Sequence, residues 1–332
     1  EPAGATPPPP EPPPPPPQVR LSADGSLLAA LGKDVRGRQL LGVWDVRGAS
    51  GPTPDVTLID SRVSLHHIKR LAFAPPEVSP AKTPPEAAAA ALLDNDGDEP
   101  QLVTVGYENI RYWRLRRGKL HVCGMGLQHH EGEMFLDLAI DAATSGGGGP
   151  QGKALRRMLV SSSSGKVFQV DISSRKLEYV YQLHDAPINA VLISPGFAVT
   201  ASDDHKLRVW PLDFASHVLE AEHEGPVTSV DASLDGLKLL VGTATGTIGV
   251  LDVPTQKHVT LVRSHTDIVY GLAVDPHNEE YATASCDGTV RIWAMGDRTH
   301  ADSHVAPDLT IPPPLYRCAS GRWEATSSSS SS

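Results

Sequence analysis

The chain has 332 residues and a net charge of -10, from 29 Lys plus Arg against 39 Asp plus Glu. That acidity argues against nucleic acid, an anionic membrane or the acidic tails of tubulin as general partners. No apolar run reaches the ~18 residues of a spanning helix and no secretory h-region is present. Three widely spaced cysteines, Cys123, Cys286 and Cys318, give neither a disulfide framework nor a paired zinc motif, so the sequence predicts a soluble protein of a reducing, cytoplasmic compartment.

Residues 1-17 hold Pro7 to Pro10 and Pro12 to Pro17, a stretch that favours extended polyproline II and does not pack. The chain opens on Glu1 and not on Met, so a longer parent protein is expected. From 18 to 300 six similar units follow: Val19 to Val46, Thr57 to Leu115, Lys119 to Ile172, Lys176 to Leu212, His217 to Val253 and His258 to Met295. Four of them close on a strand ending in Trp, at Trp44, Trp113, Trp210 and Trp293; Val170 and Leu251 fill the same slot in the others. Val170 to Trp210, Trp210 to Leu251 and Leu251 to Trp293 are steps of 40, 41 and 42 residues. A period near 40, with a strand ending in Trp or in an apolar residue followed by Asp, resembles the WD-repeat β-propeller blade of four antiparallel strands.

The last unit shows the internal pattern. Ile268 to Val274 alternates with period two, residues 275-278 turn the chain, Tyr281 to Ser285 runs into the hairpin signal Asp287-Gly288, and Thr289 to Trp293 returns. In the WD-repeat family a buried network joins a His before the first strand, a Ser or Thr on the second, an Asp in the hairpin and the Trp of the third. The resemblance implies two such sets here: His184, Thr200, Asp204 and Trp210, and His265, Thr283, Asp287 and Trp293. Buried groups of this kind are expensive unless hydrogen-bonded, so a matched set serves geometry and not chemistry. In the degenerate units Ser164 and Thr245 stand where Asp is expected.

Insertions at 75-100 and 144-157 read as loops inside blades, whose closure cost grows only slowly with length. Gly147, Gly152 and Lys153 imitate part of a phosphate loop, but Ala154 stands in place of the magnesium-binding hydroxyl; Asp94 to Glu99 imitates a calcium loop without its Gly and distant Glu. The tail, 301-332, offers Leu309-Thr310-Ile311, Leu315 to Cys318 and Trp323 as strand material before Ser327 to Ser332. A six-blade ring, a seventh blade built from this tail and an open ring all fit the sequence.

No catalytic, cofactor or metal set is predicted. His66-His67 and His129-His130 are adjacent, so on a strand they point to opposite faces and do not chelate one ion; each pair is expected to place one imidazole in a blade network and one in solvent. The densest basic cluster is Arg111, Arg114, Arg116, Arg117 and Lys119, which reads either as a partner patch or as the solvated face of a strand and its hairpin.

Several phrases over 19-295, among them Val105 to Leu115, Gly165 to Asp171, Ala186 to Ala190 and Trp210-Pro211-Leu212-Asp213-Phe214, resemble the WD-repeat-ninety or proteome-of-centriole family of centriolar and ciliary proteins. The resemblance implies a non-enzymatic scaffold of a microtubule-based structure, at the centriole, basal body or cilium of the cytoplasmic cytoskeleton. Its partners would be other scaffold proteins and tubulin, directly or indirectly, with no nucleic acid and no membrane. In that family microtubule contact is attributed to a separate N-terminal domain. The other reading is a generic WD-repeat adaptor, such as a ubiquitin-ligase substrate receptor or a signalling scaffold.

Overall fold

The computed structural model describes residues 18-48, 55-75, 102-126, 130, 132-141, 157-233, 235-263, 265-275, 277, 280-294 and 309-311. Both imitation ligand loops, His129, and the tail strands proposed after 311 lie outside the described residues. The described residues contain strands and turns and no helix, in six four-stranded antiparallel sheets, so the fold class is an all-β, six-bladed propeller. The strands form two compact units, one up to Gly126 and one from Leu127 onward.

The first unit holds two blades. Blade 1 is β1 (Gln18–Leu21), β2 (Leu27–Lys33), β3 (Gln39–Gly48) and β4 (Asp55–Val63); blade 2 is β5 (Ile68–Phe73), β6 (Leu102–Gly106), β7 (Asn109–Arg116) and β8 (Lys119–Gly124). The second unit holds four. Blade 3 is β9 (Phe135–Ile140), β10 (Arg157–Ser162), β11 (Lys166–Asp171) and β12 (Lys176–Gln182), and blade 4 is β13 (Ile188–Ser194), β14 (Phe197–Ser202), β15 (Lys206–Pro211) and β16 (Leu219–Glu222). Blade 5 is β17 (Val227–Ala232), β18 (Lys238–Thr243), β19 (Thr247–Asp252) and β20 (Lys257–Arg263), and blade 6 is β21 (Val269–Val274), β22 (Glu280–Ser285), β23 (Val290–Ala294) and β24 (Leu309–Ile311).

The repeat units read from the sequence are out of phase with these blades by one strand. The unit Lys176 to Leu212 begins with β12, yet β12 pairs with β11 of the preceding sheet. The tight turns decide this: left-handed Arg117, Arg175 and Gln256 fold the fourth strand straight back on the third. Periodicity alone is blind to phase. Leu309–Ile311 pairs with β23 as the fourth strand of blade 6 and so is not part of a seventh blade.

Within each unit the core lies between successive sheets. The middle strands are apolar on both faces, as in Leu239-Leu240-Val241, because each is covered from two sides. Val199, Ala201, Leu207 and Val209 of blade 4 meet Leu239, Val241 and Leu251 of blade 5, so Leu251 packs in the tryptophan slot at 1% exposure. Leu159 and Val167 of blade 3 meet Val191, Ala198 and Trp210 of blade 4, and Leu240 and Ile248 of blade 5 meet Tyr281 and Trp293 of blade 6. Each burial of a Leu, Val or Phe side chain is worth about 1.5–3 kcal/mol.

Backbone contacts reinforce the stacking. The carbonyl of Gly165, in the β10–β11 hairpin, accepts from the N–H groups of Leu183 and His184 at 3.0 and 3.1 Å, just ahead of blade 4; Gly246 accepts from His265 at 3.2 Å, just ahead of blade 6. A Cβ on Gly165 would stand 2.0 Å from the His184 carbonyl oxygen, and φ is +77° there. Gly288, in the matching hairpin of blade 6, has φ of +80° with nothing within 4 Å. Gly288→Ala should therefore cost only the left-handed strain of about 1–2 kcal/mol, while Gly165→Ala should lower the urea midpoint clearly further. Equal costs would remove the close approach as the reason for Gly165.

Candidate functional site

Blades 4 and 6 each carry a four-residue chain of hydrogen bonds with the same geometry. His184, 2% exposed in the loop before β13, places Nδ1 2.7 Å from Asp204 Oδ2 and Nε2 2.7 Å from Thr200 Oγ1, and Trp210 Nε1 donates to that same hydroxyl at 2.8 Å. In blade 6 His265 Nδ1 lies 2.9 Å from Asp287 Oδ2, His265 Nε2 lies 2.8 Å from Thr283 Oγ1, and Trp293 Nε1 donates to Thr283 at 3.0 Å. The donors fix the protons. The indole N–H donates to the Thr oxygen, the Thr O–H donates to Nε2, and Nδ1–H donates to the carboxylate.

Burial holds the His184 imidazole below its ordinary pKa, with the hydrogen bond to Asp204 pulling the other way. The pair is accordingly a neutral imidazole on a carboxylate. For Asp204, burial raises the pKa, but the bonds and charge from His184 together with the bonds from Lys206 N–H and Ser202 outweigh it, and the carboxyl sits below the usual range. Asp287 is held low in the same way, where burial is outweighed by Thr289 and His265. Asp204 Oδ1 also accepts from Lys206 N–H at 3.0 Å and Asp287 Oδ1 from Thr289 N–H at 2.9 Å, so each carboxylate caps its hairpin.

Other blades solve the same problem with other groups. In blade 2 Trp113 Nε1 donates to Thr104 at 2.9 Å, a pair the sequence pattern could have revealed by counting nine residues back from Trp113. Ser64 occupies the place of the network histidine, four residues before Ile68. Both His66 and His67 are exposed, which corrects the expectation that one of them enters a network. His130 is half-buried and packs edge-on against Phe168 at 5.0 Å. In blade 3 Glu133, 7% exposed, takes over: its carboxylate accepts from Ser164 at 2.8 Å and from Lys166 Nζ at 2.8 Å. Burial raises the Glu133 pKa, and the Lys166 and Ser164 bonds more than offset it. Blade 5 keeps the histidine position, with His223 buried four residues before Val227, but has Val241 in place of the threonine, and its hairpin carries a ladder of Thr243, Thr245 and Thr247 hydroxyls, 2.9 and 3.2 Å apart.

A further set of residues escapes the sequence pattern. The first strand of blades 2 to 6 shifts register near its start, leaving Lys69, Leu136, Asn189, Thr228 and Tyr270 as the extra residue of a β-bulge. Bulges re-aim side chains, and here two of them reach the next blade. Asn189 Nδ2 donates to Val227 O at 2.9 Å, and Thr228 Oγ1 donates to Val269 O at 2.6 Å. Lower on the same strands, Asp137 accepts from Val191 N–H at 3.1 Å and Asp231 from Val274 N–H at 2.9 Å. These carboxylates satisfy inner-strand N–H groups that face no further strand.

The basic cluster divides. Strand register puts Arg114 opposite His121 and Arg116 opposite Lys119, so these four share one side of the β7–β8 hairpin, with Arg117 at its turn. Arg111 lies on the other side with Trp113, and burial lowers its pKa. Among the described residues no group of three or more His, Cys, Asp or Glu could hold a metal ion.

Replacing Thr200 by Val keeps the shape and strands both His184 Nε2 and the Trp210 N–H. Thr200→Val should lower the unfolding free energy by about 1–3 kcal/mol for each orphaned group, while Thr57→Val on the exposed strand β4 should stay within about 0.5 kcal/mol. The pH dependence has a definite sign. His184 stays neutral in the fold and protonates near pH 6.5 when unfolded, so stability falls as pH drops through that value, with a slope of at most about 1.4 kcal/mol per pH unit. His184→Gln should flatten that part of the urea-midpoint profile.

The WD domain, G-beta repeat family model matches residues 175–211 and 256–294, the two stretches that end with the complete His, Thr, Asp and Trp chains. Centriole proteome protein 16 of Chlamydomonas reinhardtii is 37% identical over 265 residues, 74% of this chain and 11% of that protein. WD repeat-containing protein 90 is 32% identical over 296 residues in Xenopus tropicalis (83% of this chain) and 33% over 293 residues in Homo sapiens (82%), in each case 15% of the relative. The chain thus spans between 11% and 15% of the length of these relatives. A lower similarity, 25% over 226 residues, extends to Target of rapamycin complex subunit LST8 of Saccharomyces cerevisiae. With its repeat period, its six four-stranded sheets and these matches, the chain is a WD40-repeat protein, related over most of its length to centriole proteome protein 16 and WD repeat-containing protein 90.

Proposed function

We propose that this chain is a non-enzymatic scaffold of a microtubule-based structure, at the centriole, basal body or cilium, and that it works by presenting blade edges and loops to other scaffold proteins. The observation that carries the reading is the 37% identity to a protein named for the centriole proteome across 74% of the chain. The use of the polar residues supports it. Both His–Asp pairs are tied to a Thr and a Trp inside their own blade, which leaves them structural. The same holds for Glu133 with Ser164 and Lys166. Surface chemistry is then what remains to the protein, and in such folds binding sits on loops and rims.

Recruitment to microtubules is indirect on this reading, because a net charge of -10 opposes the acidic surface of tubulin. The similarity to a complex subunit, LST8, favours as second reading an adaptor within a signalling assembly.

Two experiments separate these. Tagged chain expressed in ciliated cells should concentrate at centrioles or basal bodies; a diffuse distribution would favour the adaptor. Purified chain should stay in the supernatant when microtubules are pelleted. Salt-sensitive pelleting that disappears when Arg114, Arg116, Arg117 and Lys119 are each changed to Glu would instead make it a direct tubulin binder through the β7–β8 hairpin.

A further inference from the structure

The junction between blades 4 and 5, two neighbours within one compact unit, is underfilled at its rim. Between blades 3 and 4 the outer end of the interface is closed by Trp210, by Phe214 in the turn after it and by Tyr181 of β12, with the rings of Tyr181 and Phe214 4.6 Å apart. One blade further on, each large side chain has a smaller counterpart. Leu251 fills the tryptophan slot, Gln256 is the left-handed turn residue that Phe214 is in blade 4, and Ala221 stands opposite Leu207 as Tyr181 stands opposite Val167. What is left is a groove of about 380 Å³ that runs along β16 from Val218 to Glu222, with Leu251 and Gln256 of blade 5 as its other wall.

The wall that β16 contributes is a strand edge. β16 is the last strand of its sheet, and among the described residues none pairs with its outer side. His223 N–H donates to His205 O at 2.9 Å. Counting back by the two-residue period of an antiparallel ladder, Ala221 and Leu219 turn their backbone groups to β15, while Glu222 and Glu220 turn theirs to the groove. An open edge of this kind templates a further strand. Side chains alternate as well: Leu219 and Ala221 lie on the face that packs on Leu251, and the exposed Glu220 and Glu222 lie on the other. Lys206 and Arg208, which hold Glu220 at 2.8 and 2.7 Å, are one strand further in, so the row that a new strand would meet is acidic.

We propose that β16 takes up an extended segment of a partner protein as a fifth strand of blade 4, a segment in which basic residues alternate with apolar ones. Backbone pairing to Glu220 and Glu222 supplies affinity, and an apolar side chain, best an aromatic one, enters over Ala221 and Leu251 in place of the missing indole. Lys or Arg residues then lie beside Glu220 and Glu222. The net charge of -10 draws such a segment in. This deepens the scaffold reading and rests on its claim that blade edges serve partners, yet binding is measured on the chain alone, apart from where the protein resides in cells.

Selection of a phage-displayed library of random peptides on the full chain tests this. The selected peptides should alternate apolar and basic residues. Leu251→Trp with Ala221→Tyr gives this junction the side chains of its neighbour and leaves the charge unchanged, so it should weaken those peptides by about tenfold or more. Peptides that bind the filled variant equally well are held by charge alone and overturn the proposal, as does a selection without the alternating pattern. Hydrogen exchange needs no variant: a bound peptide should slow the amides of Glu220 and Glu222, and unchanged exchange there overturns the proposal even where the filled variant does not fold. Dimerisation of the chain in sedimentation velocity that the filling abolishes would give the groove to a second copy and overturn it too. Each of these failures leaves the localisation test of the scaffold reading untouched.

Discussion

A four-stranded sheet that is apolar on both faces cannot stand alone in water, and this constraint shapes everything else in the chain. Two-sided cover explains why the middle strands read as near-continuous aliphatic runs such as Met158-Leu159-Val160 and Leu239-Leu240-Val241. It explains why outer strands such as β12 carry Lys176, Glu178 and exposed Tyr179. It also explains the tolerance of the tryptophan slot. Leu251 and Val170 fill it at 1% and 0% exposure because the neighbour needs volume there and not an indole.

Burial by itself is non-directional, and the polar chains supply orientation. Thr200 and Thr283 are each shared between an imidazole and an indole, so one hydroxyl ties the loop before a blade to its second and third strands. Where the set is lost, the site is refilled and not left empty. Glu133 and Lys166 do it in blade 3 with a carboxylate and an ammonium, and in blade 5 three threonine hydroxyls hold the hairpin while His223 keeps the histidine position. The requirement is satisfaction of buried polar atoms, which several chemistries can meet.

This difference sets what the sequence discloses. Strand alternation, the period near 40 and the hairpin dipeptides are local, so the six blades can be read from the residues, and the two complete networks follow from the resemblance to WD repeats. Phase is not local. Whether β12 closes one blade or opens the next depends on pairing through the turn at Arg175, which periodicity does not weigh. The bulged Asn189 and Thr228, and the carboxylates of Asp137 and Asp231, act across sheets far apart in sequence, and a single chain carries no signal for such pairs. Glu133 was hidden because it replaces a histidine by function and not by type. The basic cluster was visible as composition, but only strand register separates Arg111 from Arg114, Arg116 and Lys119.

The chain emerges as a WD40-repeat propeller whose buried histidine, threonine, aspartate and tryptophan networks hold its blades together. Its central claim is that stability comes from covering each sheet on both sides. Native-state hydrogen exchange measures that strand by strand. The account predicts the slowest exchange in β14, β15, β18 and β19, whose sheets are covered on both faces within their unit, and markedly faster exchange in the exposed outer strands β12 and β16. Equal protection of β12 and β16 with β14, β15, β18 and β19 would contradict it.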